Sequence, residues 1–447
     1  MPSAATKIAD LPVDFLARCL GFLGLEERQR TTLVCRRFAA AACSPELLQE
    51  LDIPFYRGVP ELQSLAAWLA RHGQHIRKLR FCEDGGAIPS DEEDSTTEPF
   101  ATCLQTVCAH GQLEELDAGI NAGIHTEWLV AAGSLRRLSL TGTLLLVSPA
   151  IAGLTALQSL KLYGALCFEA EAQLPPSLTR LSYWDEFVAD DDAELPEMAQ
   201  LTRLQRLKLG GYCLSPDSMP QLSALAGSLT WLDLRHTECP AASLAALTRL
   251  RHLKISTSNT ESAPDVGSAL PHLTSLTSLV LAATRQSRPV QLPNTLSCLS
   301  QLRVCYLQGW HSMAGDGEAP LPAGPWLHSL EWLGAGVDTV LASTAVLRQA
   351  TRLEHLGLLG SSAAEPAAEP AIDWGSPTAA ALFDWLATHP PLRHLSIEHA
   401  GRVFQADAFR TWAEQLRSRR PALLVHFPAL GWQGETLSGR MYSESRF

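Results

Sequence analysis

The apolar residues of this chain follow one pattern, LxxLxL, in which positions one, four and six are leucine or another apolar residue. Ten of the twelve spacings between successive segments lie between 21 and 28 residues, which predicts a repeat array rather than separate globular domains. Thirteen segments fit the pattern or a close variant, beginning at Ile76, Leu113, Leu135, Leu157, Leu178, Leu204, Leu229, Leu250, Leu276, Leu302, Leu330, Leu353 and Leu392.

The motif and its spacing resemble leucine-rich repeats. In such repeats a short strand pairs in parallel with its neighbours, because one repeat alone cannot cover its apolar face. A second apolar set, such as Leu201 with Leu204, returns the chain along the convex side as a helix or 3₁₀ turn. The ninth position usually carries Asn but here carries Thr143 or Thr237, which predicts an uneven solenoid. The predicted fold class is α/β, a curved parallel sheet of about thirteen repeats preceded by a small helical module.

Composition agrees with this architecture and excludes several classes of function. The chain has 75 leucines among 447 residues, and its net charge of -12 argues against binding to nucleic acid or to an anionic membrane. Its eleven cysteines include no CxxC pair, which predicts neither a zinc site nor a disulfide framework and indicates a reducing compartment, cytoplasmic and/or nuclear. The uncharged run from Leu138 to Leu160 continues the repeat pattern, so we expect strands there and no membrane span.

The first fifty residues form a different module. Asp10 is placed to cap a first helix, which carries Leu16, Leu20 and Leu23 at helical spacing. A second helix is predicted from Glu26 through Phe38, and Ser44 with Pro45 marks the start of a third. This small bundle carries more apolar side chains than it can bury, which indicates that some of them contact a partner.

The same run resembles an F-box without any gap. The resemblance rests on the opening Leu11 and Pro12, the leucine spine, the sequence VCRR ending in Phe38, and the closing Pro45 and Leu47. It implies an F-box domain at residues 8–52 that docks on the Skp adaptor, and through it on a cullin. By the family's pattern the adaptor-contacting residues are Leu11, Pro12, Leu16, Leu20, Leu23, Val34, Cys35 and Phe38. For Leu16, Leu20 and Leu23 an internal core role is the alternative.

The resemblance as a whole is to F-box and leucine-rich repeat proteins, the substrate receptors of Skp/cullin/F-box ubiquitin ligases. The repeats would then occupy residues 53–427, followed by a C-terminal tail at 428–447. Two long spacings predict insertions: an acidic loop at 83–99 and an Ala/Pro-rich loop at 361–377. The acidic loop is either a plain solvated loop or a phosphorylated regulatory segment around Ser90 and Ser95.

Positions two, three and five of each segment point to the concave face of the predicted solenoid. From Leu135 to Leu302 these positions hold nine basic residues against Asp233 alone, a pattern that favours docking of an acidic or phosphorylated protein segment. The alternatives are a solubility device or a site for an anionic small molecule. The predicted substrate-binding residues are Arg136, Arg137, Lys161, Arg180, Arg206, Lys208, Trp231, Arg251 and Lys254.

The motifs of catalysis are missing from the sequence. It contains no GxGxxG after a strand, no GK dipeptide of a phosphate loop, no HExxH and no GxSxG. We therefore predict no catalytic residues, no cofactor, no metal site and no enzymatic activity. The leading hypothesis is a substrate-recognition subunit of a cullin RING ubiquitin ligase, and the alternative is a repeat scaffold or regulator not linked to ubiquitination.

Overall fold

The chain divides into two structural units, Met1–Leu204 and Gln205–Phe447. The computed structural model describes residues 11–55, 59–83, 93–169, 171–185, 197–211, 222–235, 239–257, 266–283, 290–291, 294–308, 310–311, 313–314, 317–318, 320–360, 374–398 and 407–426. The predicted tail at 428–447 lies outside this part of the chain.

The first unit begins with helices and continues as a parallel sheet. Its helices are α1 (Val13–Leu20), α2 (Leu25–Thr32), α3 (Arg36–Ala42), α4 (Pro45–Leu48), α5 (Val59–His72) and α6 (Glu93–Ala109). Its strands are β1 (Glu50–Phe55), β2 (Lys78–Glu83), β3 (Glu115–His125), β4 (Arg137–Val147), β5 (Ser159–Phe168) and β6 (Arg180–Asp185). Each strand pairs in parallel with the next one along the chain.

The second unit repeats the same arrangement. Its main sheet contains β7 (Arg206–Gly211), β8 (Trp231–Arg235), β9 (His252–Thr257), β10 (Ser278–Ala283), β12 (Val304–Gln308), β16 (Trp332–Gly336), β17 (His355–Leu359), β18 (His394–Glu398) and β19 (Leu424–His426), paired in parallel in this order. Small side ladders are formed by β11 (Val290–Gln291) with β13 (Trp310–His311) and by β14 (Met313–Ala314) with β15 (Gly317–Glu318). The helices are α7 (Ala241–Ala245), α8 (Val266–Ala269), α9 (Trp326–Ser329), α10 (Val337–Ala342), α11 (Thr344–Leu347), α12 (Pro377–Thr388) and α13 (Asp407–Arg419).

All thirteen predicted strands are present, and each begins two residues after the first apolar residue of its segment. Leucines at positions one, four and six are almost fully buried, for example Leu229, Leu232 and Leu234 at 0 % exposure. At the second position the carbonyl accepts two bonds from the next strand, as when the amides of Gln158 and Ser159 both donate to the Arg136 oxygen. The fold is therefore an α/β leucine-rich repeat solenoid, as the sequence predicts.

One repeat strand was not among the predictions. Strand β1 pairs with β2 from Glu50 onward, inside the range expected for the F-box. Leu48, Leu51 and Ile53 fit the LxxLxL spacing, and the Gln49 carbonyl accepts from Arg77 and Lys78 as in the other repeats. The repeat array thus begins within the last residues of the helical module.

Strands β3, β4 and β5 are longer than the others because each continues past a bulge. The register of β4 against β5 shifts between Thr141 and Leu144 and then resumes as far as Val147. At the shift Gly164 has φ 140°, and a Cβ there would lie 1.8 Å from the Gly142 carbonyl oxygen. The ninth position of this repeat, Thr143, thus lies within the register shift, and the ladder resumes beyond it.

Three sequence expectations need correction. The helix predicted from Glu26 through Phe38 is interrupted: α2 ends at Thr32, and α3 begins at Arg36. Helix α6 begins at Glu93, so the end of the predicted acidic loop 83–99 is helical, as acidic residues near a helix N-terminus favour. Ser95 lies in its first turn, whereas Ser90 lies outside the described residues.

The third correction concerns the end of the predicted loop 361–377. Its first thirteen residues are outside the described ranges, but Trp374 is buried against Phe409 and Trp412 of α13. Ser376 caps α12, since its hydroxyl accepts a bond from the Ala379 amide at 3.3 Å. Large aromatic surface thus holds the last residues of the loop against the terminal helix.

Candidate interaction surfaces

The four N-terminal helices form a bundle with its own small core. Leu16, Ala17 and Leu20 of α1 pack against Ala41 and Ala42 at the end of α3. Leu11, Val13, Leu23, Phe38 and Leu47 are partly buried around this core. The Arg28 guanidinium donates to the Leu47 carbonyl at 3.0 Å and ties α2 to α4. The bundle is therefore held together without Phe15, Phe22, Leu33 or Val34.

Those four side chains make an exposed apolar surface. Phe22 is 92 % exposed in the connection after α1, and Leu33 and Val34 are 87 % and 65 % exposed where the predicted second helix is interrupted. Phe15 of α1 is 52 % exposed. Only eight large apolar side chains in the described part of the chain are exposed, and half of them lie between Phe15 and Val34. Such a concentration of exposed apolar side chains in one short segment is typical of an interaction surface.

The predicted adaptor-contacting residues divide between this surface and the core. Pro12 and Val34 are exposed, and Cys35 is half-buried at the start of α3. Leu16 and Leu20 are 2 % and 3 % exposed, which places them in the core alternative raised from the sequence. The remaining three, Leu11, Leu23 and Phe38, pack against that core and keep part of their surface exposed. Phe22 and Leu33 were missed because helical periodicity alone does not show where a helix ends.

On the concave face of the first unit, charges of opposite sign alternate from strand to strand. The register places Glu50, Lys78, Glu115 and Arg137 in one row across β1 to β4. Lys78 contacts Glu50 at 2.5 Å, and Arg137 contacts Glu115 at 3.0 Å. In the next row Arg80 lies 3.6 Å from Asp52 and 3.8 Å from Asp117. Exposed pairs of this kind contribute about 0–1 kcal/mol each, but they cancel the local charge.

The first unit keeps a positive excess only beyond these pairs. From β1 to β4 the concave positions hold five carboxylates and five cations, whereas those of β5 and β6 hold Lys161 and Arg180, and Asp185 ends β6. An open groove of about 400 Å³ runs over β1 to β5, and Lys161 lies among its lining residues. Of the predicted basic residues of this unit, Arg137 is thus neutralised in part, while Arg136, Lys161 and Arg180 are exposed.

In the second unit the predicted residues lie on three neighbouring strands. Arg206, Trp231 and His252 share one row, and Lys208, Asp233 and Lys254 share the next. Trp231, Lys208 and Lys254 are half-buried, whereas Arg251 is exposed. The structure therefore brings Arg206, Lys208, Trp231, Arg251 and Lys254 onto one patch.

Asp233 is the buried counter-charge of this patch. Its side chain is 2 % exposed, and the Arg235 guanidinium lies 3.0 Å from it. Burial lowers the pKa of Lys254, an effect that Asp233 opposes and that Arg235 and Lys208 reinforce. Burial also lowers the pKa of His252, with Arg206 and Arg251 adding to the effect. The patch is a cationic surface with one internal carboxylate, chemically suited to bind an anionic group.

Further along the second unit the concave face becomes apolar. Val280, Tyr306, Trp332 and Leu359 form a buried cluster with Val304 packed against it. The Tyr306 and Trp332 rings stack with centroids 5.5 Å apart. Tyr306, at 4 % exposure, is thus a core residue. Arg303 is engaged by Glu331, with its Nη2 donating to the carboxylate at 2.7 Å. The basic surface of this unit therefore ends before β10.

The described residues contain no cluster suited to a metal ion, and four of their thiols are buried. They include no group of three or more His, Cys, Asp or Glu side chains placed to hold a metal ion. Burial raises the pKa of the Cys103, Cys108, Cys239 and Cys305 thiols to about 12, which keeps them protonated and unreactive. None of the helices in this part of the chain is both long and apolar enough to cross a bilayer.

Comparison with known proteins identifies the N-terminal module. Residues 8–50 match the F-box domain family. No curated protein matches the chain. Among solved structures, a leucine-rich repeat protein of Leptospira interrogans is 16 % identical with a TM-score of 0.43, covering 84 % of this chain and 100 % of its own. An internalin of Listeria monocytogenes is 17 % identical with a TM-score of 0.42, covering 78 % and 98 %. Both TM-scores are low, so the repeat assignment rests on this chain's own motifs and strand pairing.

The protein consists of an N-terminal F-box domain followed by leucine-rich repeats. An F-box domain indicates an adaptor-binding role of the Skp/cullin/F-box type, and repeats of this kind are protein-interaction surfaces. Both parts are typical of non-catalytic adaptors.

Proposed function

We propose that this protein is a substrate-recognition subunit of a cullin RING ubiquitin ligase. The F-box would dock on the Skp adaptor and through it on a cullin, and the concave face would bind a protein target that is acidic or phosphorylated. This role needs no catalytic residue and no cofactor in the chain. Because the adaptor and cullin act inside the cell, the protein would work in the cytoplasm and/or the nucleus.

The observation that carries the proposal is the exposed apolar surface within the F-box match. Phe22, Leu33 and Val34 lie on a domain that is already packed without them. Burying one such side chain contributes about 1.5–3 kcal/mol, so the three together would contribute about 5–9 kcal/mol to a complex. That free energy is of the same order as the cost of association, so the other contacts of the F-box must add to it in a stable complex.

The proposed binding of an acidic or phosphorylated target is supported by the cations on the concave face. The chain carries -12 overall, yet the concave face retains cations at Lys161 and Arg180 in the first unit and around Asp233 in the second. Arginine forks bind carboxylate or phosphate through two parallel hydrogen bonds, which gives both affinity and geometric specificity. An acidic or phosphorylated protein segment satisfies this surface better than a neutral one.

The test is capture from cell extract with the full-length chain as bait. We expect the Skp adaptor and a cullin to be recovered together, and proteins whose abundance rises under proteasome inhibition to be recovered with them. The double variant Leu33→Ser/Val34→Ser should lose the adaptor and cullin but keep the targets. Recovery of protein partners by the parent chain without any adaptor would reject the proposal and support a scaffold unrelated to ubiquitination.

A further inference from the structure

Strands β5 and β6 carry an ordered set of side chains on the concave face. The cross-strand register pairs a hydroxyl with a cation twice and then pairs two aromatic rings. The three pairs, in order along the strands, are Ser159 with Arg180, Lys161 with Ser182, and Tyr163 with Trp184. Cation rows and an aromatic row thus lie side by side, which the charge pattern alone does not show.

The aromatic pair forms a shelf rather than part of the core. The Tyr163 and Trp184 rings are parallel within 9° and their centroids lie 6.0 Å apart. Tyr163 is 39 % exposed, although its neighbours Leu162 and Leu160 are buried. The next residue, Gly164, has a positive φ and lies against Gly142, so the middle of β5, which carries Tyr163, has a defined position. A partly exposed aromatic pair on a rigid strand is typical of a binding surface.

The spacing of the rows matches an extended peptide. Residues two apart on a strand face the same side and lie about 6.6 Å from each other. Lys161 and Tyr163 are two residues apart along β5. An extended peptide lying on this surface would also present every second side chain to it. A ligand with an anionic residue over Lys161 and Arg180 would therefore place its next same-face residue over the shelf.

We propose that this surface recognises an extended protein segment in which an acidic or phosphorylated residue and an aromatic or large aliphatic residue lie two positions apart. The anion would contact Lys161 and Arg180, with the hydroxyls of Ser159 and Ser182 available as further donors, and the apolar residue would lie on Tyr163 and Trp184. The inference rests on the proposed function, because it assumes that the concave face holds the target. A protein segment fits better than a nucleic acid, since a chain of net charge -12 repels a polyanion.

The test uses three fluorescein-labelled nine-residue probes in a Gly/Ser background, measured by fluorescence anisotropy with the full-length chain. Their central residues are pSer-Gly-Phe, pSer-Gly-Gly and Ser-Gly-Phe. We expect the first probe to bind about 2- to 13-fold more tightly than pSer-Gly-Gly, because a ring contact contributes about 0.5–1.5 kcal/mol. It should also bind more tightly than Ser-Gly-Phe, which lacks the phosphate that Lys161 and Arg180 would contact. Equal affinity for all three probes would overturn the inference.

Variants separate the two parts of the site. Tyr163→Thr, which suits a strand, should weaken the pSer-Gly-Phe probe about 2- to 13-fold and leave the pSer-Gly-Gly probe unchanged, while Tyr163→Phe should retain binding. Trp184→Thr should repeat the result independently. Lys161→Gln with Arg180→Gln should weaken both phosphorylated probes.

Two controls test the class of ligand and the independence of this surface from the F-box. Single-stranded DNA that displaces the probe at lower concentration than unlabelled peptide would overturn the choice of a protein ligand. The same variants are assayed for capture of the Skp adaptor. If the chain binds the adaptor but the probes do not show the predicted order of affinity, this inference alone is rejected. If the parent chain does not bind the adaptor, the proposed function is rejected.

Discussion

Arg235 and Asp233 form an ion pair on β8 in which the carboxylate is almost fully buried and the guanidinium is one-third exposed. The two residues are neighbours on the concave face, where Asp233 also lies between Lys208 and Lys254 in the register. Asp233 therefore compensates three cations at once, and the basic patch of the second unit depends on it.

Asp233→Asn should destabilise the second unit by about 2–3 kcal/mol, because it leaves partly buried cations without their counter-charge. The measurement is the free energy of unfolding in urea. Glu331→Gln is the matched control: it removes the carboxylate that faces Arg303, but that pair is exposed and should cost at most about 1 kcal/mol. Equal losses for the two variants would contradict the structural role assigned to Asp233.

Gly334 is required by the aromatic cluster on β12 and β16. A Cβ at this position would lie 2.6 Å from Tyr306 Cδ2 and 2.8 Å from Trp332 Cη2. Gly334→Ala should therefore cost about 1–3 kcal/mol of unfolding free energy, since the stacked rings must move apart. At Gly357 the nearest atom is the Ser396 Oγ at 3.3 Å, so Gly357→Ala should cost less than about 1 kcal/mol. A thermal shift equal for both variants would show that the rings do not constrain Gly334.

The C-terminal end of the second unit is fixed by Arg420. Its guanidinium donates to the carbonyls of Leu386 at 2.7 Å and Pro390 at 3.0 Å, and also to that of Leu392. Arg420→Met keeps most of the stem but removes three charged hydrogen bonds, so we expect a loss of about 2–4 kcal/mol. Arg348→Met is the control at an exposed arginine and should change stability by less than about 0.5 kcal/mol. The free energies of unfolding of both variants, measured by chemical denaturation, test this expectation.

Stability should fall in mild acid because of His355. Its ring stacks on His394 with centroids 4.4 Å apart, and burial, then His394 and Arg393, lower its pKa while Glu354 and Glu331 oppose the shift. The unfolded chain binds the proton more readily, so stability is full above the ordinary histidine pKa of about 6.5 and is lost as the pH falls below it. His355→Asn should lose less stability than the parent between about pH 7.5 and about pH 5. His328→Asn, at an exposed histidine of α9, should behave like the parent chain.

The sequence was sufficient for the strand positions and insufficient for the surfaces. A leucine at positions one, four and six is enough to place a strand, because burial of alternate residues determines its register. The same rule would have found β1 from Leu48, Leu51 and Ile53, had those residues not also matched the end of an F-box. The charge pairs between β1 and β4 join residues from different repeats. They depend on side-chain geometry across strands, which a count of charges along the chain does not contain.

The sequence also did not predict the break between α2 and α3, which matters more for the adaptor surface than the missed strand β1 does. The run from Glu26 to Phe38 has helical spacing throughout, yet the helix ends at Thr32 and Cys35 adopts an extended backbone. This interruption exposes Leu33 and Val34. Conversely, Leu16 and Leu20 match the family pattern but serve the internal core of the isolated chain, so a variant at either residue would confuse loss of binding with loss of folding.

The central claim is that the exposed apolar residues of the F-box bind the Skp adaptor, and the most direct test is the dissociation constant of the purified adaptor measured by calorimetry. Phe22→Ser and Leu33→Ser should each weaken binding about 30-fold or more without changing the melting temperature, as expected for buried hot spots. Val130→Ser removes a side chain that is 80 % exposed outside the F-box and should leave the dissociation constant unchanged. If Phe22→Ser and Leu33→Ser bind the adaptor as tightly as Val130→Ser and the parent chain do, the proposed adaptor surface is wrong.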